Sequence, residues 1–373
     1  MIPRIYYYAN CGDRKNIPFG GGEVGNRRTL TLFRKMGYEI VHIEKYSSLR
    51  LNDKILNSIV VIAKALINMM EFFLILLLGR KKKSIVHIVG FYGQMAYFEF
   101  LLIGISKILG FKTVYEMRGG GADVFYRTMG KRYRRKFDKI IRKADFIFSQ
   151  GMENNPLVHD IDASKHIFYY PNYVMDDFYP SEYPEKPTDK INLIYFGRIS
   201  PSKNIDVVIS VFANLRRKYD NIYLDIIGNY NDKTYFDKIV ELAHTAGISD
   251  YVRIHPACDH DRLKEHLRNK HFYIFPTNEP REGHSNAMTE AMAWGLIPIS
   301  TDHGFNRSVL SFNELIVDCM NPICFAEKVE QIVEQGRITE ISRFMYERVG
   351  RFFTEEKAFI RLKDEYSRLF ELI

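Results

Sequence analysis

Eleven short runs rich in β-branched and aromatic residues recur along this chain of 373 residues, and stretches with helical periodicity separate them. In the first half the runs are RIYYYAN, EIVHIEK, IVHIVG, TVYEMR, FIFSQG and IFYYPN. In the second half they are NLIYFG, YLDIIG, YVRIHP, FYIFPT and IPISTD. Several are continuous apolar runs, the pattern of strands covered on both faces in a parallel sheet. Strand and helix alternating in this way make the βαβ unit, and here the series is written twice. Between the two series lies YPSEYPEKPTDK, Tyr179–Lys190, with three prolines and little apolar content. It reads as an extended linker. The expected architecture is therefore α/β: two Rossmann-like, doubly wound domains, residues 1–178 and 191–351, with a cleft between them. The C-terminal stretch 352–373 reads as a helix that packs back on the first domain. Phe359, Leu362, Tyr366, Leu369 and Phe370 make its apolar stripe and Thr354 its N-cap. Ligands of such sheets bind beyond the carboxyl ends of the strands, so functional residues are to be sought just after each run.

Composition narrows the partners. The chain is 46% hydrophobic and 26% charged, enough apolar material for two cores. A net charge of +8 favours an anionic partner: nucleic acid, a phosphorylated substrate or an acidic membrane surface. The four cysteines, Cys11, Cys258, Cys319 and Cys324, form no CxxC pair and no zinc spacing, and read as reduced thiols of a cytoplasmic protein. The first residues lack the charged and apolar regions of a secretory signal.

Two segments of the second half carry chemistry. In LIYFGRISPSKN, Gly197, Arg198 and Lys203 follow a strand and precede a helix. Two cations at a helix N-terminus make an anion site, unless they are merely solvated loop charges. In REGHSNAMTEAMAWGLIPIS, from Arg281 to Ser300, a helix is expected to start at Ser285 or Asn286 and end at Gly295. Asn286, Thr289 and Glu290 share one side of it, either as a solvated edge or facing a ligand. Free N–H groups at its start suit a phosphate. Glu290 can then accept from a sugar diol, with Glu282 nearer the reacting sugar.

Together the Gly-Arg pair, the lysine five residues after the arginine and the Glu-x7-Glu pair resemble the donor site of the retaining glycosyltransferases of family 4. YEMRGGGADVFY and FIFSQGMENN are similar to the bacterial surface-polysaccharide members. The resemblance implies the GT-B fold and transfer of a hexose from a UDP- or GDP-sugar to a glycan or lipid-linked oligosaccharide, without metal or cofactor. It casts Arg198 and Lys203 as neutralising the leaving diphosphate, Glu290 as binding the nucleotide ribose and Glu282 as contacting the donor sugar. Gly283, His284, Ser285 and Asn286 complete the donor loop. From the first domain it brings Gly22 of FGGGEVGNRR to the donor, and Gly21, Glu116 and Arg118 to the acceptor or phosphate side. Family members commonly carry a histidine where this chain has Arg118, whose bland alternative is a salt bridge with Glu116 or Asp123. His87, inside an apolar strand, reads as a satisfied core histidine. Rival readings are a nucleotide-sugar epimerase, a non-catalytic membrane- or polyanion-binding protein, and an NAD-dependent oxidoreductase using Gly20-x-Gly22-x-x-Gly25 with Glu44. The last is weakened by CGDRKNIP, which separates those glycines from their strand.

The segment Ile55–Lys83 is apolar and long enough to cross a bilayer, yet Lys64, Asn68 and Glu71 form a polar stripe along it. Gly130–Asp145 reads as a basic amphipathic helix, with Tyr133, Phe137, Ile140, Ile141 and Ala144 inward and lysines and arginines outward. No stacking platform or nucleic-acid motif accompanies it. These features predict a protein peripheral to an anionic membrane, at the inner face of the cytoplasmic membrane, with no nucleic-acid partner; the alternatives are RNA binding by the basic helix, a plainly solvated basic helix, and Ile59–Leu78 as ordinary core of the first domain.

Overall fold

The computed structural model describes residues 2–12, 21–45 and 54–373, with only the backbone of 54–58. Two compact units divide the chain, one of Met1–Pro171 with Phe359–Ile373, the other of Asn172–Ala358. The first runs β1 (Arg4–Ala9), α1 (Gly21–Lys35), β2 (Glu39–Glu44), α2 (Lys54–Leu77), β3 (Ser84–Gly90), α3 (Ala96–Ile108), β4 (Lys112–Met117), α4 (Ala122–Thr128), α5 (Gly130–Lys143), β5 (Phe146–Ser149), α6 (Asn155–Ile161) and β6 (Ile167–Tyr169). Its six strands are all parallel in the order β2-β1-β3-β4-β5-β6. Tyr6, Tyr7 and Tyr8 of β1 are all buried, as a central strand with both faces covered requires. Gly90 ends β3 where a Cβ would lie 2.5 Å from the Tyr115 ring, so a larger residue would displace that buried ring.

In α5, Tyr133, Phe137, Ile140 and Ile141 are fully buried, the inward face expected from the sequence. Helix α14 (Glu355–Glu371) starts with Thr354 Oγ1 accepting from Lys357 N at 3.4 Å. From Phe359 onward the chain belongs to the first unit. There Leu362, Tyr366 and Leu369 are fully buried.

The second unit runs β7 (Ile191–Phe196), α7 (Ile205–Arg216), β8 (Ile222–Ile227), α8 (Lys233–Thr245), β9 (Val252–His255), α9 (His260–Leu267), β10 (Phe272–Phe275), α10 (Asn286–Ala293), β11 (Ile297–Thr301), α11 (Asn306–Leu310), β12 (Ile316–Val317), α12 (Pro322–Glu334) and α13 (Ile338–Phe352). Its parallel sheet has the order β12-β11-β10-β7-β8-β9. Counted from β7, this is the order of dinucleotide-binding sheets, and the direction of winding reverses between β7 and β10. All eleven expected strands are present, and the two-residue β12 joins them.

The segment Tyr179–Lys190 is not a free linker. It falls inside the second unit and is fastened along it. The Tyr179 ring stacks on Tyr346 with centroids 4.8 Å apart, and Tyr183 OH donates to Ser342 Oγ at 2.7 Å. Lys186 Nζ donates to the carbonyls of Trp294 at 2.6 Å and Arg268 at 3.2 Å. Burial lowers the Lys186 pKa to about 7.

Candidate functional site

The loops after β7 and β10 meet at the point where the winding reverses. Gly197 turns the first loop with φ +136°. A Cβ on the neighbouring Gly228 would lie 1.9 Å from Gly197 O, so the backbone is packed tightly just where Arg198 leaves the sheet. Tyr195 OH donates to Arg198 O at 2.8 Å and fixes the carbonyl side of that turn. The Arg198 side chain is exposed and makes no hydrogen bond or ion pair among the described residues. Asn204, in the left-handed region at φ 51°, donates from Nδ2 to Pro276 O at 2.7 Å. Asn278 N donates to Ser202 O at 3.0 Å, and Ser202 Oγ donates to Glu279 Oε2 at 2.7 Å. The two loops thus form one hydrogen-bonded platform.

On that platform Lys203 Nζ pairs with Glu282 Oε2, and Thr277 Oγ1 donates to the same oxygen at 2.9 Å. The Lys203 ammonium also lies 5.2 Å from the centre of the Phe275 ring. Gly304, at φ +60°, lets the chain pass the Glu282 backbone, for a Cβ there would lie 2.3 Å from Glu282 O. The two residues whose roles were inferred separately, Lys203 and Glu282, are therefore in direct contact.

Helix α10 follows. Ser285 is its N-cap, accepting from Met288 N at 3.3 Å, and Gly295 ends it at φ +69°. Ser285 Oγ takes the Met288 N–H, and the N–H groups before it have no acceptor within the helix. The start of α7 is different. Tyr235 OH accepts from Ile205 N at 2.8 Å and Asp206 N at 3.3 Å, so that helix end is already filled. Of the two helix N-termini expected to attract phosphate, α10 is the better placed. Asn286 is half-buried, and its Oδ1 is buried with no partner in the structure. Glu290 is buried, with Oε1 3.7 Å from His260 Nε2. Gly283 is half-buried. His284 does not face outward. It is buried, its Nε2 lies 2.5 Å from Thr289 Oγ1, and its ring meets Phe353 edge-on at 5.0 Å. Its carbonyl accepts from Asn172 Nδ2 at 2.8 Å, so His284 anchors the loop.

In the first unit Glu116 and Arg118 form the salt bridge that was the bland reading. Arg118 Nε donates to Glu116 Oε1 at 2.5 Å, and Nη2 donates to Thr29 Oγ1 at 2.7 Å. His87 is fully buried and satisfied, with Nε2 2.7 Å from Glu116 Oε2 and Nδ1 2.5 Å from Tyr366 OH. Burial lowers the His87 pKa, which fits a neutral ring donating to Glu116 and accepting from Tyr366. Burial alone would raise Glu116, but Arg118 and His87 outweigh it and hold the carboxyl below its ordinary range. Arg118 Nη1 is buried without a partner.

Gly21 and Gly22 are not in a loop but open α1, both exposed, and a Cβ at Gly22 would meet nothing within 4 Å. Phe19 and Gly20 lie outside the described residues. The dinucleotide reading gains no support, because Gly25 lies within α1 and Glu44 Oε1 is taken by Cys11 N at 2.8 Å and Gly12 N at 3.1 Å. The fold also collects two sets of possible metal donors that spacing did not reveal: Cys11, His42 and Glu44, and Asp225, His255 and His266. In the second set Lys270 Nζ already holds Asp225 Oδ2 at 2.5 Å.

Comparison with known proteins points the same way. The family described as Glycosyl transferases group 1 matches residues 181–348. The chain is 25% identical over 195 residues to the GtfA subunit of the UDP-N-acetylglucosamine–peptide N-acetylglucosaminyltransferase of Streptococcus gordonii, covering 49% of this chain and 37% of that protein. It spans between 37% and 56% of the length of the curated relatives it matches. Among solved structures it superposes on sucrose-phosphate synthase of Thermosynechococcus elongatus with a TM-score of 0.72, at 15% identity and covering 100% of each chain. With Alr3699/HepE of Anabaena, solved in complex with UDP, the TM-score is 0.69 at 11% identity, over 98% of this chain and 100% of that one.

Proposed function

We propose that this chain, which has the GT-B fold and matches the group 1 glycosyltransferases over residues 181–348, moves a hexose, with retention, from a UDP-sugar to a lipid-linked or growing polysaccharide acceptor. One observation carries the donor half of this reading. Arg198, Lys203, Glu282 and the N-terminus of α10 stand on the joined loops where the winding of the second sheet reverses, the place where such sheets bind nucleotides. The bond that breaks joins the anomeric carbon to the diphosphate, the bond that forms joins that carbon to an acceptor hydroxyl oxygen, and the hydroxyl proton leaves with the departing diphosphate. Negative charge grows on the departing diphosphate. Arg198, Lys203 and the α10 N–H groups are the positive groups that meet it. Glu282 and Thr277 hold the lysine ammonium in place before donor arrives. Glu290, one turn into α10, accepts from the ribose diol. Uridine is favoured over guanosine because UDP is named for the similar proteins of Streptococcus and Anabaena. The acceptor class rests on the first-half motifs YEMRGGGADVFY and FIFSQGMENN.

A donor panel tests the reading. UDP-sugars should raise the melting temperature by mass action and yield UDP when acceptor is present. A protein that neither binds nor turns over any nucleotide-sugar is not this enzyme. Interconversion of one nucleotide-sugar into its epimer, without acceptor, would establish the rival reading.

A further inference from the structure

Helix α2 is apolar on two faces, and only one of them is used. Its inner stripe, Asn68, Phe72 and Leu76, is buried in the first unit. Asn68 is tied down there by Tyr8 OH at 2.6 Å and Glu44 O at 2.9 Å. The outer face carries Ile59, Leu66, Ile67, Met70 and Leu74, with Leu78 just beyond the helix, and these side chains are 46% to 86% exposed. Lys64 and Glu71 sit on one flank between the two faces, so they do not interrupt the outer one. The neighbouring helix α3 adds an outward stripe of Tyr97, Leu101 and Ile108. A contiguous apolar face of this kind marks an interaction surface.

We propose that this face docks on the surface of an anionic lipid bilayer. The surrounding charge selects that partner. Lys81, Lys82 and Lys83 are exposed directly after α2. Helix α5, packed against α3, presents Lys131, Arg132, Arg134, Arg135 and Lys139 to solvent. The stem of Lys136 lies toward α3, with its ammonium 4.2 Å from the centre of the Phe100 ring. The one acidic residue of α5, Asp138, accepts from Tyr126 OH at 2.8 Å. Apolar centre and basic rim are what a bilayer of acyl chains under anionic headgroups complements. A second copy of the chain fits less well, because a two-fold contact would bring two basic rims together. Spanning is disfavoured too, since it would strip the inner stripe and Asn68 from the core. The surface belongs to the first unit, and its assignment uses no part of the donor reading.

Flotation of the full chain with vesicles tests the proposal, with phosphatidylcholine alone or mixed with phosphatidylglycerol. The protein should float with the mixed vesicles at low salt, much less with phosphatidylcholine, and be partly released by high salt. Leu66→Ser/Met70→Ser/Leu74→Ser alters only outward side chains and should abolish flotation. Arg134→Glu/Arg135→Glu/Lys139→Glu should weaken it on mixed vesicles only, with circular dichroism unchanged in both variants. A wild type that stays unbound on mixed vesicles at low salt overturns the proposal, as does undiminished flotation of the folded serine variant. Dimers that the serine variant dissolves, with no flotation of the wild type, would assign the face to a second copy instead.

Discussion

At the residue scale the donor reading stands on few side chains, and their roles separate kinetically. Arg198→Ala and Lys203→Ala should each lower turnover by about two orders of magnitude, the usual cost of removing one group that stabilises transition-state charge. Both follow the carboxyl end of β7, outside the sheet, so circular dichroism should be unchanged. Normal turnover with donor saturating would remove them from the diphosphate. Glu290→Ala should chiefly raise the KM for donor, whereas Glu282→Ala should chiefly lower kcat and also release Lys203. The glutamates and cations were visible in the sequence only as a motif. The contact between Lys203 and Glu282 spans 79 positions, and no periodicity predicts it. The Glu116–Arg118 pair was more legible, because Arg118 directly follows β4 and residues two apart in extended chain face the same side. His284 was not, since nothing local says that its ring turns inward to Thr289 and Phe353.

At the scale of elements, the strands were readable because buried parallel strands are continuous apolar runs, whereas β12, at two residues, is too short to carry any pattern. Tyr179–Lys190 misled because proline and polar composition is shared by linkers and by segments pinned through tertiary contacts. Its anchors, Tyr346, Ser342 and the Trp294 carbonyl, are all distant in sequence. Lys186 offers a test of that pinning. Its pKa is about 7 in the folded chain against an ordinary 10.5. Between those values the unfolded chain binds more protons, so this group's contribution to stability rises with pH through that window. Lys186→Met should therefore gain in melting temperature on the wild type at about pH 7 relative to about pH 9. A difference that does not change with pH would show Lys186 to be solvated. The glycine after β11 has an equally local consequence. Gly304→Ala would drive a Cβ into Glu282 O and strain a left-handed turn. It should lower kcat as Glu282→Ala does while leaving Lys203 and Arg198 in the chain.

At the scale of the whole molecule, the order of the second sheet gives the candidate donor residues their place, and the C-terminal return completes the first unit. The sequence shows α14 as an amphipathic helix but not what Tyr366 does. Its hydroxyl meets Nδ1 of the fully buried His87. Tyr366→Phe keeps the ring packing and leaves that nitrogen without a donor, at a cost of about 1–3 kcal/mol. The melting temperature should fall by several degrees, given roughly 2–4 °C per kcal/mol for a unit of this size. As pH falls below about 6.5 the unfolded chain takes up the His87 proton first, because burial lowers the pKa of the folded ring, so wild type and variant both lose stability while the difference between them persists. The candidate donor residues Arg198, Lys203, Glu282 and Glu290 lie in the other unit, Asn172–Ala358. The rise in melting temperature on adding UDP, and the KM for donor, should therefore be the same in Tyr366→Phe and wild type. Weakened UDP binding in a variant that is otherwise folded would mean that the donor site draws on the first unit through α14, and that the second unit does not hold nucleotide by itself.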